Sequence, residues 1–271
     1  MTSIGSTRSV LASVTVPGSV WIVDLDGVIW ITGEPIGDVA GAVSRLTGAG
    51  ITVVYATNNS AFTAQTLLDR LARIGITAEP QQLATSADAT ASLLQPGDTA
   101  FVLAEGGVLE SLSNRGVKVG GAGPFDAAVV GWTHAFDFDS LSAVAAAARD
   151  SGRLIGTNED PTHPTPEGLV PGSGALLAAV AVASGITPEI AGKPHRPMAD
   201  LIRDKFGIGV GGRPALAVGD QPATDGRLAE RLGIPFALVD SGVTRPETPV
   251  GDVAVSVRTS DFIDLVDAAL T

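Results

Sequence analysis

The sequence predicts an α/β protein built on a parallel sheet, with a second α/β segment inserted into the first. Short apolar runs alternate with amphipathic helices, glycines follow many of these elements, and polar residues follow the ends of several runs. Strand–helix–strand units of this kind have crossovers that give parallel strands. With 271 residues, of which 45% are hydrophobic, the chain can bury a sizeable core.

The first predicted strand is an apolar run within residues 20–28 that runs into two carboxylates, Asp24 and Asp26. Ligands of parallel sheets bind beyond the carboxyl ends of the strands, and side chains two positions apart share one side of a strand. Two acids held together repel each other, and a divalent cation relieves that repulsion. Taken alone, the pair fits a ligand site and an Asp-rich helix N-cap equally well.

The same unit then repeats along the chain. Apolar residues at three- and four-residue spacing indicate helices, and short β-branched or apolar runs indicate strands. The predicted elements are helices over 39–46 and 67–74 and strands over 51–55, 215–218 and 235–239. Polar residues follow the second strand and both late strands, as they follow the first.

A second alternation fills the middle of the chain. It consists of strands over 100–103, 127–130 and 154–156 and alanine-rich helices over 141–149 and 174–183. Turn residues precede and follow this stretch. We therefore expect a first core part at residues 1–95, an inserted α/β domain at 96–187 and a second core part at 188–271.

Composition excludes several classes of protein. A net charge of −12 with no local cluster of Lys or Arg makes nucleic acid an unsuitable partner. The absence of cysteine excludes disulfides, thiolate nucleophiles and sulfur-ligated metal sites. Residues 1–20 lack the apolar run of a signal peptide, and the most apolar run elsewhere is shorter than a membrane span. We expect a soluble cytoplasmic protein with no membrane partner.

Polar residues at the predicted strand ends suit metal-assisted phosphoryl transfer. Asp24 can attack phosphorus as a carboxylate, and Asp26 can protonate the leaving oxygen and later accept a proton from water. Mg²⁺ prefers oxygen ligands such as Asp24, Asp220 and a backbone carbonyl. Thr57 and the Asn58 amide can donate to phosphoryl oxygens.

The same residues have simpler explanations when each is taken alone. Asp220 and residues 57–60 suit helix caps or turns, and Lys193 and Asp225 suit a solvated surface. Lys193 is nevertheless the cation that would offset charge on a phosphoryl group. Their joint occurrence in one chain supports the catalytic interpretation.

Four sequence stretches resemble the ordered motifs of haloacid dehalogenase superfamily phosphatases. They are Asp-Leu-Asp-Gly-Val-Ile-Trp at 24–30, Thr-Asn-Asn-Ser at 57–60, Gly-Lys-Pro at 192–194 and Gly-Asp followed by Thr-Asp within 219–225. The segment between the second and third motifs resembles the cap of the NagD-like subfamily IIA branch. The resemblance implies a Rossmann-like parallel-sheet core with a large inserted α/β cap domain, acting as a Mg²⁺-dependent phosphatase.

The resemblance assigns the groups that act on phosphorus. It implies Asp24 as the nucleophile and Asp26 as the acid/base. It implies that Thr57 and Asn58 bind the transferring phosphoryl group and that Lys193 stabilises it.

The resemblance also assigns the groups around the metal. Asp220 would bind Mg²⁺ together with the Asp24 carboxylate and the Asp26 backbone carbonyl. Asp225 would orient Lys193 or a metal-bound water rather than contact the ion.

The cap is expected to select the substrate. The polar, proline-rich stretch 157–168 is predicted to be an ordered loop, and we expect His163 and Asp160 within it to contact the leaving group. A histidine can hydrogen-bond an anionic or aromatic leaving group, although a solvated His fits the stretch equally well. Gln221 and His195 stand where the family often has other residues, which bears on specificity.

The expected function is hydrolysis of a small phosphorylated metabolite through an aspartyl phosphate. Two alternatives remain at this point: a receiver-like signalling module, and a phosphate-metabolite binding protein with weak or lost catalysis. The inserted segment argues against the first, and the complete set of catalytic side chains argues against the second. Caps of some family members pair, so the resemblance allows a homodimer, although no sequence patch identifies an interface.

Overall fold

The structure, a computed structural model, describes residues 4–121, 123–165, 168–209 and 211–271. The chain forms two compact units that interleave in sequence. Unit 1 consists of Met1–Thr57, Leu68–Ala84 and Ile202–Thr271, and unit 2 consists of Asn58–Leu67 and Thr85–Leu201. Unit 2 is thus inserted into unit 1 in two pieces.

Helices and strands alternate through most of the chain. The helices are α1 (Ile4–Val14), α2 (Val39–Gly48), α3 (Ala64–Arg73), α4 (Ser86–Ser92), α5 (Gly106–Arg115), α6 (Phe138–Ser151), α7 (Ser173–Ser184), α8 (Arg196–Phe206), α9 (Arg227–Leu232) and α10 (Phe262–Ala269). The strands are β1 (Val20–Val23), β2 (Trp30–Ile31), β3 (Glu34–Pro35), β4 (Thr52–Thr57), β5 (Leu83–Thr85), β6 (Thr99–Leu103), β7 (Lys118–Val119), β8 (Ala127–Val130), β9 (Leu154–Gly156), β10 (Thr162–Thr165), β11 (Gly168–Pro171), β12 (Glu189–Ile190), β13 (Ala215–Gly219), β14 (Phe236–Val239) and β15 (Val257–Thr259). Within the described residues, no helix combines the length and apolar character needed to cross a membrane.

Unit 1 is built on a six-stranded sheet in the order β15-β14-β13-β1-β4-β5. Strand β1 pairs in parallel with β13 on one side and with β4 on the other, so that Val23 lies beside Val218 and Tyr55. All four residues of β1 are buried. The carboxyl ends of β1, β4 and β13 therefore meet at one edge, as parallel strands require.

The helix predicted over 39–46 is confirmed as α2. Asp38 caps its N-terminus, because its carboxylate accepts a hydrogen bond from the Gly41 N–H at 2.9 Å. Val39 begins the buried face of the helix, on which the apolar residues at the predicted spacing lie. Local patterning therefore determines how this helix is placed against the sheet.

Unit 2 has its own parallel sheet, in the order β12-β9-β8-β6-β7. Strands β8 and β9 are completely buried, and alanines of α6 and leucines of α7 join the apolar cluster that covers them. The strands and helices predicted for the middle of the chain are confirmed to within a few residues. The fold-class prediction, an α/β core with an inserted α/β segment, is confirmed.

Unit 2 extends beyond the predicted middle segment on both sides, because contacts within it hold the flanking residues. Ala64 N donates to the Glu110 carboxylate at 2.7 Å, and Ser111 Oγ donates to Asp88 at 2.8 Å. After α7, Gly192 N donates to the carbonyl of Thr157 at 2.8 Å. The predicted cuts after residues 95 and 187 thus fall inside unit 2.

The predicted loop over 157–168 is wrong in its second half. Residues 162–165 and 168–171 form the antiparallel pair of strands β10 and β11, in which His163 lies beside Val170. Prolines in both strands obscured this hairpin in the sequence, because proline removes a ladder donor and usually indicates a loop. Residues 166 and 167, which belong to the same predicted loop, lie outside the described residues.

Tyr55, on β4, is fully buried, and its hydroxyl has no hydrogen-bond partner among the described residues. Burial raises the pKa of the phenol well above its ordinary value, because the phenolate would lose its hydration. We expect Tyr55→Phe to leave the free energy of unfolding at neutral pH unchanged, or to raise it by up to about 1 kcal/mol. Urea unfolding measures this change.

Alkaline pH provides the second part of this test. Above the ordinary pKa of 10.0, the unfolded chain releases the phenol proton while the folded protein keeps it. Wild-type stability should therefore fall relative to Tyr55→Phe, by up to about 1.4 kcal/mol per pH unit. A loss of stability in the variant at neutral pH would instead show that the hydroxyl is satisfied.

Candidate active site

Three buried carboxylates meet at the edge of the unit 1 sheet. Asp24 follows β1, Asp220 follows β13, and Asp225 lies in the π-helical turn Pro222–Gly226. One oxygen from each lies within 4.8 Å of the others, and the exposed fractions of the three residues are only 7%, 0% and 3%. Carboxylates this close together and this deeply buried repel one another when they are ionised, which favours a bound cation.

Backbone groups hold two of these acids in place. Asp24 N donates to the carbonyl of Val218 at 2.9 Å, which continues the parallel pairing one residue past β1. Its Oδ1 accepts the Leu25 N–H at 2.8 Å, and Asp220 Oδ2 accepts the Val243 N–H at 2.6 Å. The positions of both carboxylates therefore follow from the sheet and its adjoining loops.

Glycines make room for the acids. A Cβ on Gly27 would lie 2.5 Å from Asp220 Oδ2, and one on Gly242 would lie 2.0 Å from the same oxygen. A Cβ on Gly219 would lie 2.2 Å from the Asp225 carboxylate. Each distance is shorter than any tolerated contact, so a side chain at any of these glycines would displace an acid.

The three acids suit a hard divalent cation, since all offer carboxylate oxygens. Two ligands on opposite sides of one Mg²⁺ ion are about 4.2 Å apart. The three carboxylate oxygens lie within 4.8 Å of one another, which is only slightly more than that distance. Small side-chain adjustments, or one acid binding through water, would accommodate the ion, so these residues fit Mg²⁺. The role predicted for Asp225 beside the ion stays a prediction.

Asp26 and Thr57 lie at the same edge of unit 1. Asp26 is partly exposed, and its Oδ1 accepts a hydrogen bond from the indole N–H of Trp30 at 2.9 Å. Thr57 is the last residue of β4 and is 2% exposed. By the strand topology, both residues follow or end strands whose carboxyl ends lie at the sheet edge that carries the three acids.

In unit 2, Asn58 is the centre of a hydrogen-bond network. Its Oδ1 accepts from Lys193 N at 2.7 Å, and its Nδ2 donates to the carbonyl of Lys193 at 3.1 Å. Nδ2 also lies 3.2 Å from Asp160 Oδ2. The backbone carbonyl of Asn58 accepts from Ser86 Oγ and Asn158 Nδ2, at 2.6 and 2.7 Å. Three predicted site residues, Asn58, Asp160 and Lys193, thus form one assembly.

This network gives the Asn58 side chain a structural role that the sequence did not predict. Both polar ends of its amide bind the main chain of Lys193, a buried residue that is 2% exposed. A Cβ on the preceding Gly192 would lie 2.5 Å from Asn58 Oδ1, so only glycine allows this approach. The predicted phosphate contact of Asn58 stays a prediction.

His195, where the sequence departs from the family pattern, contacts Glu159 within unit 2. Its Nε2 lies 3.0 Å from Glu159 Oε1. The link joins the residues after Lys193 to the stretch that contains Asp160. The sequence contained no signal for this pair, because its members lie far apart in the chain.

His163 lies in β10 beside an aromatic residue. Its ring centroid is 5.2 Å from that of Trp132, which also contacts His134 at 4.5 Å. The Trp132 indole donates to the carbonyl of Pro171 at 3.1 Å, which anchors the ring to the hairpin. Trp132 thus contacts two imidazoles, those of His134 and His163.

Comparison with known proteins assigns the chain to a family. A haloacid dehalogenase-like hydrolase family model matches residues 21–118, and a HAD-hydrolase-like model matches residues 190–261. The 5′-nucleotidase YutF of Bacillus subtilis is 31% identical over 246 residues, covering 90% of this chain and 95% of that protein. The chain belongs to the haloacid dehalogenase-like hydrolases.

Solved structures of this superfamily agree with the assignment. The 4-nitrophenylphosphatase of Thermotoga maritima matches with a TM-score of 0.86 and 25% identity, covering 96% of this chain and 99% of that one. A glycerol phosphate phosphatase of Mycobacterium tuberculosis, solved in complex with magnesium, matches with a TM-score of 0.80 and 27% identity, over 90% of this chain and 75% of that one. The protein is a haloacid dehalogenase-like phosphatase of the NagD-like type.

Proposed function

We propose that this phosphatase is a Mg²⁺-dependent phosphomonoesterase that hydrolyses a small phosphorylated metabolite through an aspartyl-phosphate intermediate. The observation that carries the proposal is the cluster of three buried carboxylates, Asp24, Asp220 and Asp225, at one sheet edge. The named relatives, which act on nucleotide, nitrophenyl phosphate and glycerol phosphate substrates, support a small phosphate ester. A homodimer and a cytoplasmic location stay predictions.

In the proposed first step, an oxygen of the Asp24 carboxylate forms a bond to phosphorus. The bond between phosphorus and the leaving oxygen breaks, its electron pair stays on that oxygen, and Asp26 gives the oxygen a proton. In the second step, Asp26 takes a proton from water as the water oxygen bonds to phosphorus. The bond to Asp24 then breaks, which releases inorganic phosphate and restores both carboxyl groups.

Other residues support both steps in this proposal. Thr57, the Asn58 amide and Lys193 bind the transferring phosphoryl group, and Lys193 offsets its negative charge. Asp24, Asp220 and the Asp26 backbone carbonyl would hold Mg²⁺, with Asp225 beside them. When bound, the ion would neutralise charge on the phosphoryl oxygens and on the clustered acids.

Metal removal tests the proposal directly. Protein treated with a chelator and desalted should hydrolyse p-nitrophenyl phosphate at background rate, and added Mg²⁺ should restore full activity. Calorimetric titration of the metal-free protein with Mg²⁺ should give one binding event. Full activity with chelator present would overturn the assignment of the acid cluster.

The substrate preference tests the role proposed for His163. We expect His163→Ala to change the relative kcat/KM values among phosphorylated metabolites more than it changes Mg²⁺ affinity, because specificity is a difference in transition-state binding. His134→Ala is the matched control, since His134 contacts the same Trp132 ring. If all substrates slow equally, or both variants behave alike, His163 does not select the substrate.

A further inference from the structure

Trp30 is a buried residue whose one polar group binds the proposed acid/base. The residue is 2% exposed, and its indole Nε1 donates a hydrogen bond to Asp26 Oδ1 at 2.9 Å. A buried indole N–H needs an acceptor, and a carboxylate is a stronger acceptor than a backbone carbonyl. The contact therefore constrains the Asp26 side chain as well as satisfying Trp30.

The backbone conformation brings residues 26 and 30 next to each other. Gly27 N donates to the carbonyl of Trp30 at 2.7 Å, and Trp30 N donates to the carbonyl of Leu25 at 3.1 Å. A bridge pairs Asp26 with Trp30. Gly27 has φ +85°, a conformation that glycine adopts without strain. The turn thus returns the chain so that residue 30 faces residue 26.

The hairpin that follows holds the ring in place. Trp30 begins β2 and pairs with Pro35 of β3, and Ile36 N donates to the carbonyl of Ile29 at 3.0 Å. These bonds anchor the backbone on both sides of Trp30. A side chain so fixed is a rigid support for a partly exposed carboxylate.

The indole also selects between the two carboxyl oxygens of Asp26. An indole N–H is a donor only, so it binds an acceptor oxygen. When Asp26 is protonated, the bond at Oδ1 favours placing the proton on Oδ2. A general acid is efficient only when its proton lies in the direction of the leaving oxygen.

We propose that Trp30 is a positioning residue that orients Asp26, so that Oδ2 delivers the proton to the leaving group. This inference rests on the proposed function, because it needs Asp26 to act as the acid. It predicts that loss of the indole N–H lowers kcat/KM most for substrates whose leaving group needs a proton from the acid. A residue that merely fills the core would affect all substrates alike.

The test compares two aryl phosphates of similar shape, phenyl phosphate and p-nitrophenyl phosphate, with Mg²⁺ present. Nitrophenolate leaves readily without a proton, whereas phenolate needs one. We expect Trp30→Phe to lower kcat/KM for phenyl phosphate by about 10-fold or more and for p-nitrophenyl phosphate by less than about 3-fold. The kcat/KM ratio reports the step in which the leaving group departs.

Trp21→Phe is a matched control. Trp21 is also buried in unit 1, and its indole donates to the carbonyl of Val14 at 3.0 Å. This substitution removes the same kind of ring and hydrogen bond, but away from Asp26. It should leave the ratio of the two kcat/KM values unchanged.

A double variant shows whether Trp30 acts through Asp26. In Asp26→Ala protein, adding Trp30→Phe should not change the substrate ratio further. Equal slowing of both substrates, a similar ratio change in Trp21→Phe, or a further change in the double variant would each overturn the inference. Wild-type protein that hydrolyses neither ester would instead contradict the proposed function.

A spectroscopic measurement covers the case in which Trp30→Phe does not fold. The chain has three tryptophans, so nuclear magnetic resonance shows three indole N–H signals. The Trp30 signal should move on Asp26→Ala, because it loses a carboxylate acceptor, while the Trp21 signal should stay. An unmoved Trp30 signal would show that the bond is absent and would overturn the inference.

Discussion

Asp24→Asn is expected to eliminate phosphatase turnover while the protein stays folded. Asparagine has the shape of aspartate but lacks the anionic oxygen that would attack phosphorus, so kcat should fall by about 10⁴-fold or more. The variant should unfold at the same or a higher temperature without metal, because it removes one of three buried, mutually repelling charges. Steady-state kinetics and thermal unfolding measure the two effects.

Asp225→Asn is the control for this prediction. Asp225 belongs to the same buried cluster, so the substitution also removes one charge from it, but it leaves the proposed nucleophile intact. We expect weaker Mg²⁺ binding and activity that recovers as Mg²⁺ is raised, whereas Asp24→Asn should not recover at any concentration. Full activity of Asp24→Asn would exclude Asp24 as the nucleophile.

Gly27→Ala is expected to reduce activity by about 10²-fold or more, because a small misplacement of a catalytic group costs that much. The new methyl group would lie 2.5 Å from Asp220 Oδ2, so the carboxylate has to move. The displacement should weaken Mg²⁺ binding as well as slow turnover. Metal titration and kinetics on the same protein measure both.

Gly33→Ala separates this displacement from backbone strain. Gly33 has φ +92°, close to the +85° of Gly27, and a Cβ there would meet nothing within 4 Å. Both variants should lose about 1 to 2 kcal/mol of stability from a left-handed alanine. Only Gly27→Ala should lose metal affinity and activity. If both variants reduced catalysis equally, displacement of the Asp220 carboxylate would have no effect on activity.

Periodicity alone was enough to predict most of the α/β fold. The buried runs that became β1, β8 and β9 and the amphipathic face of α2 are local patterns, which the structure reproduces. Because parallel strands share an edge at their carboxyl ends, the meeting of Asp24, Thr57 and Asp220 also followed from those patterns. The hairpin around His163 did not, since prolines interrupt the strand signal.

The hydrogen bonds around Asn58 could not be predicted from local sequence patterns. Its amide binds Lys193, 135 positions away, and Asp160, 102 positions away, and local periodicity carries no information about contacts between residues so far apart. The Glu159–His195 pair arose in the same way. The resemblance predicted Asp225 near the metal, and the structure adds that a π-helical turn places its carboxylate with Asp24 and Asp220.

The sequence alone therefore identifies the groups that are available for chemistry. They are a pair of acids after one strand, hydroxyl and amide groups after another, and a third acid after a glycine. The tertiary structure decides which neighbouring residues hold each of these groups in position. Trp30 acquires its contact with Asp26 from a turn and a hairpin, and Asn58 contacts the main chain of Lys193 because two segments 135 positions apart meet. The physical reason is that residue types and short periods are local properties, whereas a hydrogen bond depends on where distant segments meet.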